Sequence, residues 1–163
     1  MPEKQTLRKA RQDKREGKSA STQAGEFVHE EIEHIRHGKH GARSTRQAIA
    51  IGLSKARRAG VKLPPPAKGQ ASAATRKQAK HDLAAAKDHH KPSAKRSKAV
   101  RTALKHEGHS AASSKALSRQ ATKAAHKRTA TSRHNAAVKA AKTKGPAVRH
   151  RAAVKAARTR AAH

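Results

Sequence analysis

Cysteine, tryptophan and tyrosine are absent from this chain of 163 residues, and Phe27 is its single phenylalanine. Without thiols, disulfide pairing and thiolate chemistry are excluded, and nothing marks a redox compartment. Phe27 alone cannot supply the platform on which unpaired bases stack, which excludes single-strand recognition through the bases. Acidic residues are scarce as well: 10 Asp and Glu stand against 40 Lys and Arg, a formal net charge of +30. No apolar run approaches the roughly 20 residues that span a bilayer. The stretch MPEKQTLRKARQDKREGK has no apolar segment behind its charges, so no secretory leader is expected. Membrane-surface helices pair a basic face with Trp, Phe or Leu, whereas this chain offers alanine, so a membrane is not an expected partner.

What the chain does contain is alanine, 37 residues of it, beside only 18 larger apolar residues. Alanine buries little area. At about 25 cal/mol per Å² it does not offset an ordering cost of about 1–2 kcal/mol per residue. A core running through the whole chain is therefore not expected, and high charge with low hydropathy points to disorder. The larger apolar residues are concentrated: nine of the 18 (Phe27, Val28, Ile32, Ile35, Ile49, Ile51, Leu53, Val61, Leu63) fall between positions 27 and 63. Charge is skewed the other way. Residues 1–66 carry 15 Lys/Arg and 7 Asp/Glu, whereas residues 67–163 carry 25 and 3.

These gradients predict a small all-α protein: an N-terminal antiparallel helical hairpin followed by a largely disordered, helix-prone tail rich in Ala, Lys and Arg. The expected division is a basic arm at 1–20, a hairpin head at 21–63, a proline-containing linker at 64–70 and a low-complexity cationic tail at 71–163. Within the arm, KQTLRKARQDKRE at 4–16 reads equally as a short helix or a solvated strand of charge, because Leu7 is its only large apolar residue. The first hairpin helix is expected at 22–37, where Val28, Ile32 and Ile35 recur at i, i+4, i+7 and Ser21 or Thr22 supplies the cap. Glutamates 26, 30, 31 and 33 precede Arg36 and His37, an order that complements the helix dipole, and Gly38 suits the C′ position.

The second hairpin helix is STRQAIAIGLSKARRAG at 44–60. Ser44 and Gln47 form a capping-box pattern. Ile49, Leu53 and Ala56 supply the expected apolar stripe, with Ile51 beside it. Gly52 inside that helix costs about 1 kcal/mol against alanine and reads as room for a close neighbour. Val61 and Leu63 are expected to fold back before the prolines at 64–66 stop the helix. A head this small invites completion by a second copy or a protein partner.

Beyond Ala67 the chain repeats itself: AAVKAAKTK at 136–144 returns as AAVKAARTR at 152–160, sixteen residues later. That shift is about 4.4 helical turns, so the copies share composition and helix propensity without sharing a face. Gly145 and Pro146 interrupt any helix joining them.

The segment GEFVHEEIEHIRHGKHGARST followed by RQAIAIGLSKARRAG resembles a family of small basic bacterial proteins known mainly as a domain of unknown function. The resemblance covers about residues 22–63. It implies a bacterial source and a helical hairpin, and it brings no catalytic residues with it. The tail resembles, in composition, the Ala/Lys-rich tails of bacterial linker-histone-like proteins.

A polycation inside a cell meets polyanions, and nucleic acid is the most abundant of them. The candidate phosphate contacts are Arg43, Arg46, Lys55, Arg57 and Arg58 in the head, and Lys95, Arg96, Lys98 and Arg101 in the first part of the tail. Lys139, Lys142, Lys144, Arg149, Arg151, Lys155, Arg158 and Arg160 lie in its second part. Sequence-specific readout needs a rigidly braced helix in a groove, and a two-helix unit lacks the brace. The expected function is non-sequence-specific DNA binding and compaction by charge neutralisation, histone-like, in the cytoplasm at the nucleoid, with RNA as the alternative ligand. The competing reading is an adaptor whose head binds a protein while the tail anchors to DNA or ribosomal RNA.

Other chemistry has weaker warrants. His34 and His37 lie at i, i+3 with His29, His40 and Glu30 or Glu33 near, but several of these point to different helix faces, so no metal ligand is assigned. The remaining histidines, including His81, His89, His90, His126 and His150, are scattered. GKHGARS lacks the phosphate-loop spacing, and no enzyme activity or cofactor is expected.

Overall fold

The computed structural model describes residues 2–86 and 93–161, without the side chains of Thr143 and Lys144. Every named element is a helix: α1 (Lys4–Arg15), α2 (Ala20–Arg36), α3 (Thr45–Arg58), α4 (Ala73–Ala84), α5 (Ala94–Lys105), α6 (Ser114–His126) and α7 (Ala130–Ala161), with a 3₁₀ turn at Ser110–Ala112. The chain divides into two compact units, Met1–Gln120 and Ala121–His163.

The first unit is built around the α2–α3 hairpin. Ser19, rather than Ser21 or Thr22, caps α2, its hydroxyl accepting from the Thr22 amide at 3.3 Å. Gly38, with φ of +71°, ends that helix in the left-handed conformation a glycine adopts without penalty. Ser44 caps α3 by accepting from the Gln47 amide at 3.2 Å. The reciprocal bond lands one residue early, on the Arg43 amide, which donates to Gln47 Oε1 at 2.8 Å.

The contact between α2 and α3 differs from the expected stripe. Ala48, Gly52 and Ala56 are the buried small residues of α3, whereas Ile49, Ile51 and Leu53 are half-buried beside them. Small residues at i, i+4 and i+8 let the two backbones approach closely. A Cβ built on Gly52 would stand 2.7 Å from the Val28 Cα and 3.0 Å from the Phe27 carbonyl oxygen. Around this contact sit two apolar clusters. Phe27, Ala24, Ala56, Val61 and Ala10 form one, with Leu7, Leu53 and Leu63 packed on it, so the return of Val61 and Leu63 is as the sequence implies. Full burial of Phe27 contributes about 2–3 kcal/mol. Ile32, Ile35, Ala42, Ala48, Ala111 and Ala112 form the other.

The arm is a helix. α1 buries Thr6, Ala10 and Asp13, spaced i, i+4, i+7, against α2 and turns its cations outward.

The expectation of a disordered tail is overturned. The described residues of 71–161 are largely helical, and α4 and residues 104–112 fold onto the hairpin. α4 packs on α3 through Asp82, which is 1% exposed and accepts from Ser54 Oγ at 2.6 Å, Arg58 Nε at 2.9 Å and Gln78 Nε2 at 3.0 Å. Residues 104–112 close the other end of the hairpin. The Gly41 amide donates to the Leu104 carbonyl at 2.8 Å and the Ala42 amide to Gly108 at 3.0 Å. Thr45 Oγ1 donates to the Ala111 carbonyl at 2.7 Å, and Arg36 Nε to Ala112 at 3.0 Å. Gly41 is the residue that permits this: a Cβ there would lie 1.8 Å from the Glu107 carbonyl oxygen.

In the second unit α7 is interrupted as the sequence implies. Gly145, at φ 65° and ψ 168°, breaks the helix just before Pro146, so the two copies of the repeat lie on opposite sides of the break. Val138, Val148 and Val154 are exposed, and α7 offers no apolar face. Its order is that of an alanine-rich backbone with high helix propensity, not of a core.

Candidate nucleic-acid interface

The structure sorts the predicted cations into two groups. Three of the five in the hairpin are committed to the fold. Lys55 sits between Glu31 and Glu30, with Nζ bonded to Glu31 Oε2 and 3.9 Å from Glu30 Oε1. Arg57 is buried, donating from Nε to the Leu63 carbonyl at 3.2 Å and from Nη2 to Pro64 at 3.4 Å. Burial lowers its affinity for a proton below the ordinary guanidinium range, and Asp82 opposes that shift. Arg58 is half-exposed but bound to Asp82. Lys55, Arg57 and Arg58 are thus paired or buried within the fold, and such a cation surrenders its partner before it reaches a phosphate.

The remaining candidates stand outward. Arg43 and Arg46 are exposed at the start of α3, and Lys95, Arg96, Lys98 and Arg101 are exposed along α5. In the second unit Lys139, Lys142, Arg149, Arg151, Lys155, Arg158 and Arg160 are exposed on α7, while the Lys144 side chain lies outside the described residues. Arg149 Nε also donates to the Gly145 carbonyl at 3.3 Å across the helix break. Lys4, Arg8, Arg11 and Arg15 form a further exposed basic row at i, i+4, i+7, i+11 on α1. The sequence flagged that stretch as basic without singling out these residues, and the signal was the helical spacing itself.

The acids explain the sorting. Among the described residues of the first unit most are paired, including Asp13 and Glu16 with Lys18, Glu33 with Arg36, Glu31 with Lys55 and Asp82 with Arg58. Hydrogen bonds that it donates to Asp13 and then to Glu16 hold the Lys18 ammonium above the usual lysine range. Lys18, followed by Gln12, holds the Glu16 carboxyl below the usual carboxylate range. Residues 121–163, by contrast, contain twelve Lys/Arg and neither Asp nor Glu.

One part of the first unit has a different character. Glu31, His34 and His40 each offer a ligand atom, all within 4.8 Å of one another. The sequence named both histidines but paired them with Glu30 or Glu33. Instead Glu30 accepts from the Glu3 amide at 3.2 Å, and Glu33 pairs with Arg36 and lies 3.9 Å from the outward-facing His37. Four glutamates crowd one helix, and only the packing of α3 settles which of them turns inward. His89 and His90 lie outside the described residues.

Residues 11–68 match the model of a family of unknown function (DUF6496). The match runs from the middle of α1 through α3 to the proline segment, so these residues carry a domain of unknown function, and α4 to α7 lie outside it. No curated protein and no solved structure matches the chain. No helix among the described residues is long and apolar enough to cross a membrane.

Proposed function

We propose that this protein binds DNA without sequence preference and compacts it by neutralising phosphates, in the manner of a histone-like, nucleoid-associated protein of a bacterial cell. The observation that carries this reading is the charge of the second unit. Residues 121–163 hold twelve Lys/Arg with no Asp or Glu to oppose them, and the described Lys and Arg side chains of α7 are exposed. Duplex DNA presents one negative charge per about 1.7 Å of axis, and displacing its counterions is the main source of non-specific affinity. The outward cations of α1, of α5 and of the start of α3 add to the same surface charge. No catalytic step is part of this reading.

RNA offers the same phosphates and remains the competing ligand. The adaptor alternative assigns a protein partner to the first unit and leaves DNA or ribosomal RNA to the second. The test is a salt titration of full-length protein on duplex DNA, comparing wild type with a chain in which Arg149, Arg151, Arg158 and Arg160 are replaced by glutamine. Four lost phosphate contacts reduce the steepness of log K against log salt by about 3–4. An unchanged steepness defeats the reading.

A further inference from the structure

In a chain this basic, the neighbourhood of Glu31 is locally acidic. Carboxylates of Glu3, Glu30 and Glu31 meet there, and the cations bound to them are Lys39 and Lys55. With neutral histidines, three negative charges against two positive leave an excess of one negative charge.

Glu31 is 0% exposed. Its Oε2 is held by Lys55, but its Oε1 is buried without a hydrogen bond. A buried carboxylate oxygen without a partner is costly and calls for an explanation. His40 Nε2 stands 3.2 Å from that oxygen, yet the contact lacks hydrogen-bond alignment. The other ring nitrogen of His40, Nδ1, faces the Gly41 carbonyl at 3.0 Å. When Nδ1 carries the proton donated to that carbonyl, Nε2 is a bare lone pair facing a carboxylate lone pair. Two such atoms attract only through a cation between them.

The separation suits that cation. Two ligands of a tetrahedral zinc ion at about 2.0–2.1 Å stand about 3.3 Å apart. His34 supplies the third donor, its ring lying edge-on to that of His40 with centroids 6.2 Å apart. Each ligand is also steered from behind: Glu31 by Lys55, His40 by the Gly41 carbonyl, and His34 by Glu3, whose Oε1 lies 2.8 Å from Nε2. Outer partners of this kind fix ring orientation in metal sites. The histidine side chains are 14% and 17% exposed, so an ion reaches them from solvent.

We propose that Glu31, His34 and His40 bind one zinc ion, with water completing the tetrahedron. The ion staples the loop after α2 to the inner face of that helix. That loop is where Gly41 and Ala42 receive residues 104–108, so zinc there secures the docking of the later chain on the hairpin.

The test uses full-length protein, titrated with Zn²⁺ by calorimetry against a competing chelator and with Co²⁺ by visible absorption. The expected result is one site per chain with the intense visible bands of four-coordinate cobalt. His34→Ala and His40→Ala each weaken that site by more than about 100-fold, the upper end of what outer-partner loss alone costs. His37→Ala, on the same helix end but 70% exposed, leaves it intact. Glu31→Gln is a further arm, read only if circular dichroism shows the fold retained. The two histidine variants change partly exposed rings and keep the test decisive. Absence of a one-to-one site overturns the proposal. So does a site that survives in both histidine variants, or one that is lost equally in His37→Ala.

Discussion

Arg58 Nε donates to Asp82 Oδ1 at 2.9 Å, joining the last turn of α3 to a helix within what the sequence predicts as a low-complexity, largely disordered tail. The bond has two consequences. It withdraws a cation from the surface, and it ties α4 to the hairpin through a carboxylate that is nearly inaccessible to solvent. Ser54 and Gln78 complete the shell around the same carboxylate.

Replacing Asp82 by alanine therefore destabilises the first unit. The loss combines three hydrogen bonds with an unpaired Arg58. Because Arg58 is half-exposed, water recovers part of the cost, and the net effect is about 1–3 kcal/mol. Urea unfolding followed by circular dichroism at constant m measures it. A change within about 0.5 kcal/mol contradicts the packing of α4 on α3.

Gly52→Ala separates two opposing effects. Helix propensity alone favours alanine by about 1 kcal/mol. The new methyl, however, lies 2.7 Å from the Val28 Cα, a backbone atom that does not rotate away. Overpacking of this kind costs about 1–3 kcal/mol, so the variant is less stable than wild type. Thermal unfolding reads the sign directly, and a raised midpoint shows that the helices are not in close contact.

Glu3 sets a pH window for the start of α1. Hydrogen bonds from Lys39 and then His34 lower its carboxyl from 4.5 to about 2. A group with a depressed folded-state value stabilises the fold above its unfolded value and loses that contribution as pH falls through the folded value. Attachment of the first turn of α1 is accordingly full above pH 4.5 and lost toward pH 2. Carbon-13 NMR of the Glu3 carboxyl gives a midpoint near 2 if the contacts form in solution. A midpoint near 4.5 means that they do not.

The sorting of cations predicts unequal effects on DNA affinity. Lys55→Gln, Arg57→Gln and Arg58→Gln act on stability and leave the salt dependence of binding within one unit of wild type. Lys95, Arg96, Lys98 and Arg101 replaced together reduce its steepness by about 3–4. Fluorescence anisotropy on a labelled duplex distinguishes the two sets. Equal effects from both would place the hairpin residues at the phosphates.

How much of this was legible in the sequence follows from the kind of contact involved. The hairpin showed itself because Val28, Ile32 and Ile35 keep a 3.6-residue period and because Ser44 and the glycines after α2 and α3 mark helix ends. Gly52 was legible too, as a cost that only a close neighbour repays. The covering of the hairpin by residues 104–112 was not, because those residues contribute backbone carbonyls and two alanines, which carry no periodic signature. α4 was hidden for a similar reason: one buried aspartate, not an apolar stripe, attaches it. The convergence of Glu31 on the two histidines depends on which of several adjacent glutamates faces inward, and only packing decides that.

The most direct measurement of the central claim is the affinity of full-length protein for random-sequence duplex DNA across a range of sodium chloride concentrations, beside a chain ending at Gln120. Engagement of the twelve cations of residues 121–163 makes the logarithmic salt slope of the full chain steeper by about 11 than that of the shortened one. Equal slopes, or binding undiminished in molar salt, contradict phosphate neutralisation by the second unit.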